Sequence, residues 1–300
     1  MASDLVVPKR LQTETIFGCN ASCVMCAVDQ PTTRHKGVMP LDFFRRIIDE
    51  MVPWRDLLEK TDLFGVGEPL LDKTIFDKIA YARARGMPSV AISTNADLLT
   101  EDRAGALLDA GIDVVIFSVD GVRPETHESI RVGVSFPRVV ANIEAMVRLR
   151  DQRGAPTRFV FRFIRQDTNR TEWEAFHHHW SQVAGPADLV IRYDVQSWGG
   201  KVGCSTAVPL TPVPDAVPCH HLFDRLIVLR DGTVPLCCAD VHQPELDLGN
   251  AHETPVMDIY NGPRFQAIRA LHLAGRRREM RICRDCTILE SEANQQVFTG

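Results

Sequence analysis

Short apolar runs alternate along the chain with longer segments whose apolar positions recur at helical spacing. The runs Gln12–Phe17, Thr61–Gly65, Val90–Thr94, Val114–Val119, Arg158–Ile164 and Leu189–Val195 are rich in Val, Ile, Phe or Thr. Each is bounded by Gly, Asn, Asp or Pro, so each predicts a strand. Helices are predicted between them over Leu41–Met51, Lys73–Arg85, Glu101–Ala110, Phe136–Arg150 and Thr171–Val183. Thr100 is placed to cap the third, and Gly86 and Gly111 stand where helix stops belong. Strands followed by helices in series predict an α/β fold in which a parallel sheet curves into an incomplete (β/α)6 barrel over residues 1–196. In such folds the chemistry gathers on loops after the strands' C-terminal ends. Cys19, Gly67-Glu68-Pro69, Asn95 and Asp120 fall on those loops.

The pattern changes after the sixth strand. Gly199, Gly200 and Gly203, then Pro209, Pro212, Pro214 and Pro218, predict a connector over residues 197–218. Residues 219–300 then form a small cysteine-bearing module, short enough to gain from a metal staple.

Composition narrows the class. The chain is 45% hydrophobic and 24% charged, ordinary for a globular protein. No stretch reaches the ~20 apolar residues of a membrane span. Met1–Arg10 has no apolar core of a signal peptide, so a cytoplasmic location is expected. A net charge of −5 gives no support for nucleic acid as a partner and favours a cationic small molecule instead. Arg276-Arg277-Arg278 reads as a solvated helix end. His177-His178-His179 lies within a predicted helix, where neighbouring side chains point in different directions and cannot converge on one ion.

Nine cysteines change the picture most: Cys19, Cys23, Cys26, Cys204, Cys219, Cys237, Cys238, Cys283 and Cys286. An odd number, clustered at short spacings, argues for metal ligation over a disulfide framework. Cys19-x3-Cys23-x2-Cys26 puts three thiolates on one loop, which on a cubane cluster leaves one iron open. The alternative is a zinc knuckle completed by His35. Cys219, Cys237, Cys283 and Cys286 come from three separate segments and suit a fully ligated [4Fe–4S] cluster or a Cys₄ zinc site. Cys237 and Cys238 are adjacent, and the spacing Gly232-x4-Cys237 picks Cys237 as the ligand. Cys238 and Cys204 are then spare, either as small apolar residues or as hydrogen-atom donors.

The N-terminal triplet resembles the signature of the radical S-adenosylmethionine (SAM) superfamily, with Met25 where an aromatic residue usually precedes the last cysteine. The resemblance extends over residues 12–195. It implies a [4Fe–4S] cluster on Cys19, Cys23 and Cys26 whose open iron is chelated by SAM. Gly65, Gly67 and Glu68 resemble the motif that meets the SAM ammonium, and Ser93 and Asn95 the strand-end patch for ribose and carboxylate. Ser118 and Asp120 hold the corresponding place after the fourth strand. Arg162 is either a partner for the SAM carboxylate or a substrate group, or an arginine on the barrel exterior. The C-terminal set resembles the twitch module, a shortened SPASM domain, and implies one auxiliary [4Fe–4S] cluster.

Within the twitch group the cysteine spacing is most similar to dehydrogenases that oxidise an aminocyclitol alcohol in antibiotic biosynthesis. That resemblance implies abstraction of hydrogen at a carbinol carbon of a cationic aminosugar or aminocyclitol. Asp120, Arg162 and Asp240 are candidates for substrate orientation or proton transfer. An epimerase returning hydrogen through Cys238 or Cys204 is the alternative, followed by ribosomal peptide maturation. An electron donor such as flavodoxin or ferredoxin is the implied protein partner.

Overall fold

The computed structural model describes residues 5–203, 210 and 212–299. Its centre is an eight-stranded sheet built from β1 (Arg10–Thr13), β2 (Lys60–Asp62), β3 (Val90–Thr94), β4 (Val114–Ser118), β5 (Arg158–Arg165), β6 (Leu189–Asp194), β7 (Arg225–Val228) and β8 (Gln296–Thr299). The spatial order is β7-β1-β2-β3-β4-β5-β6-β8. All neighbours are parallel except β8, which runs antiparallel to β6. Helices α1 (Leu41–Met51), α2 (Ile75–Ala84), α3 (Glu101–Asp109), α4 (Pro124–Ile130), α5 (Phe136–Arg153) and α6 (Trp173–Val183) provide the crossovers.

The alternation of side chains along each strand divides the sheet into two surfaces. Leu11, Ile92, Val115, Phe117, Phe159, Phe161, Phe163 and Val190 face outward, into one core with the helices. Phe161 stacks on Trp180 of α6 at 4.8 Å between ring centroids, and Phe163 meets Phe176 at 4.9 Å. The residues between them face inward and line a cavity.

Two expectations change here. The run Gln12–Phe17 is not one strand. Its second half, Ile16–Phe17, leaves the sheet and pairs antiparallel with Gly37–Val38. The second concerns the number of strands, and the small core expected of the C-terminal segment merges with that of the sheet. Leu222, Leu226, Val228, Leu236, Tyr260 and Phe265 join the same buried cluster as Phe44 and Ile47 of α1. Its strands β7 and β8 extend the sheet at both edges, six predicted strands becoming eight. Polar ties reinforce the join: Arg46 donates to Ala251 O at 2.6 Å, and Val256 N donates to Glu50 Oε2 at 3.0 Å. Within the run Arg276–Arg278, Arg277 is 5% exposed and donates to Val213 O at 2.7 Å, so only its neighbours fit a solvated helix end.

Candidate active site

The cysteine loop begins where β1 and its short continuation end. Gly18, at φ +149°, turns the chain into Cys19–Cys26. The glycine-glutamate segment docks against this loop through a bridge between Gly18 and Gly67, with Glu68 N donating to Gly18 O at 3.0 Å. A Cβ on Gly67 would stand 2.5 Å from Ile16 O and 2.8 Å from Gly18 O, so no side chain fits there. Cys19, Cys23 and Cys26 all line the cavity, whose volume is 470 Å³. Asn95 Nδ2 lies 3.8 Å from Cys19 Sγ, and Arg131 Nη1 lies 3.8 Å from Cys23 Sγ. Burial pushes the Cys19 thiol up to about 12 and the Cys26 thiol up to about 11. Without metal these sulfurs hold their protons, so metal loading must displace them.

Gly65, Gly67, Glu68, Ser93, Asn95 and Ser118 converge on the cavity wall beside these cysteines. The Glu68 carboxylate, 1% exposed, accepts from Leu70 N at 3.1 Å, Thr94 Oγ1 at 2.7 Å and Asn95 N at 2.8 Å. It therefore pins the end of β3 against the loop after β2. Arg162 faces into the barrel, not outward, and donates to Ser93 Oγ at 2.8 Å and Ser118 Oγ at 2.6 Å. Met25 is 6% exposed and packs with Ile130 and Val195.

Two predicted substrate-handling acids lie elsewhere. Asp120 is fully buried behind the cavity wall, 2.6 Å from Arg131 Nη2, and accepts from Ile164 N at 2.7 Å. Asp240, also fully buried, accepts from Lys201 Nζ at 3.2 Å and Glu245 N at 3.0 Å. Neither carboxylate lines the cavity, and both hold loops together. Cys204 lies outside the described residues. Sequence reasoning missed Arg131, which carries charge to Cys23, and Trp198, whose Nε1 donates to Met25 O at 2.9 Å. Neither sits in a motif, so only their positions in space reveal them.

Cys219, Cys237, Cys283 and Cys286 line a second, small chamber, with Leu236 and His272 among its walls. The turn carrying Cys237 is set by Gly232, at φ +86°, where a Cβ would collide with Asn250 and His252. Ala251 N donates to Gly232 O at 2.7 Å and Val234 N to Gly249 O at 3.1 Å, so the Leu248-Gly249-Asn250 segment braces this turn. Cys238, one residue on, lines the large cavity instead. His272 Nδ1 accepts from Cys219 N at 3.3 Å, and its Nε2 is 3.6 Å from Cys283 Sγ.

These thiols fit clusters better than single zinc ions. Tetrahedral zinc holds its sulfurs about 3.8 Å apart, from Zn–S bonds of ~2.3 Å. Among the described residues, no three of the cysteine sulfurs lie within 4.8 Å of one another. A cluster binds each thiolate to a different iron and so spaces them more widely.

Comparison with known proteins agrees with this geometry. Residues 13–152 match the radical SAM superfamily and residues 219–287 match SPASM, an iron-sulfur cluster-binding domain. The chain carries a radical SAM domain followed by a C-terminal SPASM module, which together imply SAM, a SAM-binding [4Fe–4S] cluster and an auxiliary cluster. Among solved structures it is similar to BtrN, the butirosin radical SAM dehydrogenase, in complex with AdoMet and 2-DOIA. That likeness has a TM-score of 0.63 and 19% identity, over 93% of each chain. SuiB of Streptococcus suis bound to precursor peptide SuiA has a TM-score of 0.67 at 15% identity, over 95% of this chain and 71% of that one. At these identities the likeness shows the fold. A tungsten-containing aldehyde ferredoxin oxidoreductase cofactor-modifying protein of Pyrococcus furiosus is 32% identical over 148 residues, 49% of this chain. The matched region spans 40% of that curated relative's length. No helix among the described residues is long and apolar enough to cross a membrane.

Proposed function

We propose that the protein removes a hydrogen atom from a carbon of a polyhydroxylated small molecule, a sugar or cyclitol, and that Cys238 returns a hydrogen to that carbon with inversion. When bound, the cluster and SAM supply a 5′-deoxyadenosyl radical able to attack an unactivated C–H bond. Cys19, Cys23 and Cys26 would hold that assembly at one wall of the cavity, where Gly65, Gly67, Ser93, Asn95 and Ser118 also form the lining. Gln12, Tyr193 and Gln196 offer hydroxyl-binding groups on the remaining wall.

The observation that carries this reading is the opposite facing of two adjacent cysteines. Cys237 turns to the small chamber and Cys238 to the cavity. Burial pushes the Cys238 thiol up, against the pull of Arg225, so the sulfur keeps the S–H bond that a donor needs. In the return step that S–H bond breaks and a C–H bond forms. The thiyl radical left behind is restored to the thiol by one electron from a low-potential donor such as flavodoxin or ferredoxin and one proton from solvent.

A second reading, oxidation of a secondary alcohol, is supported by the closeness of the two chambers: Ile288 lines both. Incubating the reconstituted protein with SAM, reductant and a sugar panel in D₂O separates the two. Hydrogen return yields an isomer of the substrate carrying one solvent deuterium. A product two hydrogens lighter, without deuterium at that carbon, overturns it in favour of oxidation.

A further inference from the structure

The charges inside the cavity run opposite to the charge of the whole chain. Arg10, Lys60, Arg158 and Arg225 are the first residues of β1, β2, β5 and β7, and all four line the cavity. Parallel strands place their first residues at one end, and the register sets Arg10 beside both Lys60 and Arg225. They form a cationic rim at the end remote from the cysteine loop. Arg162 stands further in, two inward positions along β5 from Arg158.

Few carboxylates answer them. Asp62 lies 3.3 Å from Arg10 Nε. Glu292 is engaged by His220 Nε2 at 2.9 Å and His221 Nε2 at 3.1 Å. Among the described residues, Lys60, Arg158, Arg162 and Arg225 make no ion pair, although Arg162 donates to the two serines and Arg225 Nη1 lies 3.5 Å from Gln12 Oε1. The Nε atoms of Arg158, Arg162 and Arg225 are buried with no hydrogen-bond partner. Cations that outnumber the carboxylates around them and keep buried donors unpartnered attract an anion, and guanidinium forks match carboxylate and phosphate oxygens.

We propose that the substrate is anionic, a phosphorylated or carboxylated sugar whose charged group is seated by Lys60, Arg158 and Arg225. This rests on reading the cavity as the substrate chamber. Arg225 and Cys238 both line the cavity, so the charged end and the thiol belong to one chamber. Partial burial, then Arg10 and Arg158 close by, also hold the Lys60 ammonium below its ordinary value, against the opposing pull of Asp62 and Glu59. The cationic aminosugar suggested by the net charge of −5 would meet repulsion here.

Calorimetric titration of the reconstituted, SAM-bound protein with glucose 6-phosphate, glucuronate, glucosamine and glucose tests this. At least one anionic sugar should bind about tenfold or more tightly than glucosamine or glucose, and its affinity should fall with added salt. Preference between the two anions distinguishes phosphate from carboxylate. Lys60→Gln, on the exposed rim, and Arg158→Gln should each weaken the anion about tenfold, and the Lys60 variant leaves the buried interior untouched. Glucosamine binding as tightly as the anions, no anion binding at all, or anion binding unchanged in both variants overturns the proposal. Binding requires no radical chemistry, so anion binding without inversion counts against hydrogen return alone.

Discussion

Glu68 shows what a residue's neighbours in sequence reveal and what they hide. Its place after Gly67 made it visible as part of a SAM-binding motif, yet its carboxylate is spent on Leu70 N, Thr94 Oγ1 and Asn95 N. Thr94 and Asn95 stand at and just beyond the end of another strand, so no local pattern could disclose the partnership. Glu68→Ala leaves three buried donors without an acceptor and should cost about 3 kcal/mol of unfolding free energy. Glu68→Gln keeps an acceptor oxygen and should cost clearly less. Anaerobic urea unfolding of both variants measures the difference, and equal losses would show that the hydrogen bonds matter less than the side chain's volume. Asp120 and Asp240 carry the same lesson. Each follows a promising motif, and each is claimed by a cation outside that motif, Arg131 and Lys201.

Elements with strong periodicity were legible, and elements held by tertiary contacts were not. The bounds of α1 and β3 follow directly from their apolar spacing. Gln12–Phe17 alternates like one strand, but Met39 N donates to Thr15 O at 2.8 Å and draws the second half into a different pairing. β7 and β8 are four residues each, too short to stand out until the sheet edges beside them are known. α4 was missed because PETHESI is almost wholly polar and gives no amphipathic signal. It is anchored by His127, fully buried, whose Nδ1 accepts from Asp120 N at 3.3 Å. Burial, with Arg131 nearby, pushes His127 down to about 3, so the ring is neutral in the folded chain. Unfolding lets it protonate near its ordinary value of 6.5. Its contribution is therefore complete above that value and is lost as pH falls toward 3. At pH 5 the loss should be about 2 kcal/mol. His127→Asn retains an acceptor without that basicity, so its stability should fall less between pH 7 and pH 5. Parallel denaturant titrations at the two pH values test this, and equal slopes for variant and parent would remove His127 as the cause.

For the whole molecule, the sequence disclosed the class of chemistry more fully than the shape of the chamber that performs it. Cysteine spacing alone separated two metal sites, because ligands for one cluster must lie on tight loops or converge from a few braced turns. The charge of the chamber was not legible. Arg10, Arg158 and Arg225 are scattered through the sequence and line one cavity only because the parallel strands that carry them start at the same end of the sheet. The merged core was hidden for the same reason, since nothing local to Leu226 or Tyr260 says that they pack with α1.

The claim on which the functional account depends is the division of labour between Cys237 and Cys238. Iron content after anaerobic reconstitution, measured side by side in Cys237→Ala and Cys238→Ala, tests it most directly. Two cubane clusters give about eight irons per chain in the parent protein. Cys237→Ala should fall to about half of that, whereas Cys238→Ala should keep the full content and still produce 5′-deoxyadenosine. Iron lost from the Cys238 variant and retained by the Cys237 variant would contradict the account, because the thiol assigned to the substrate would then belong to the cluster.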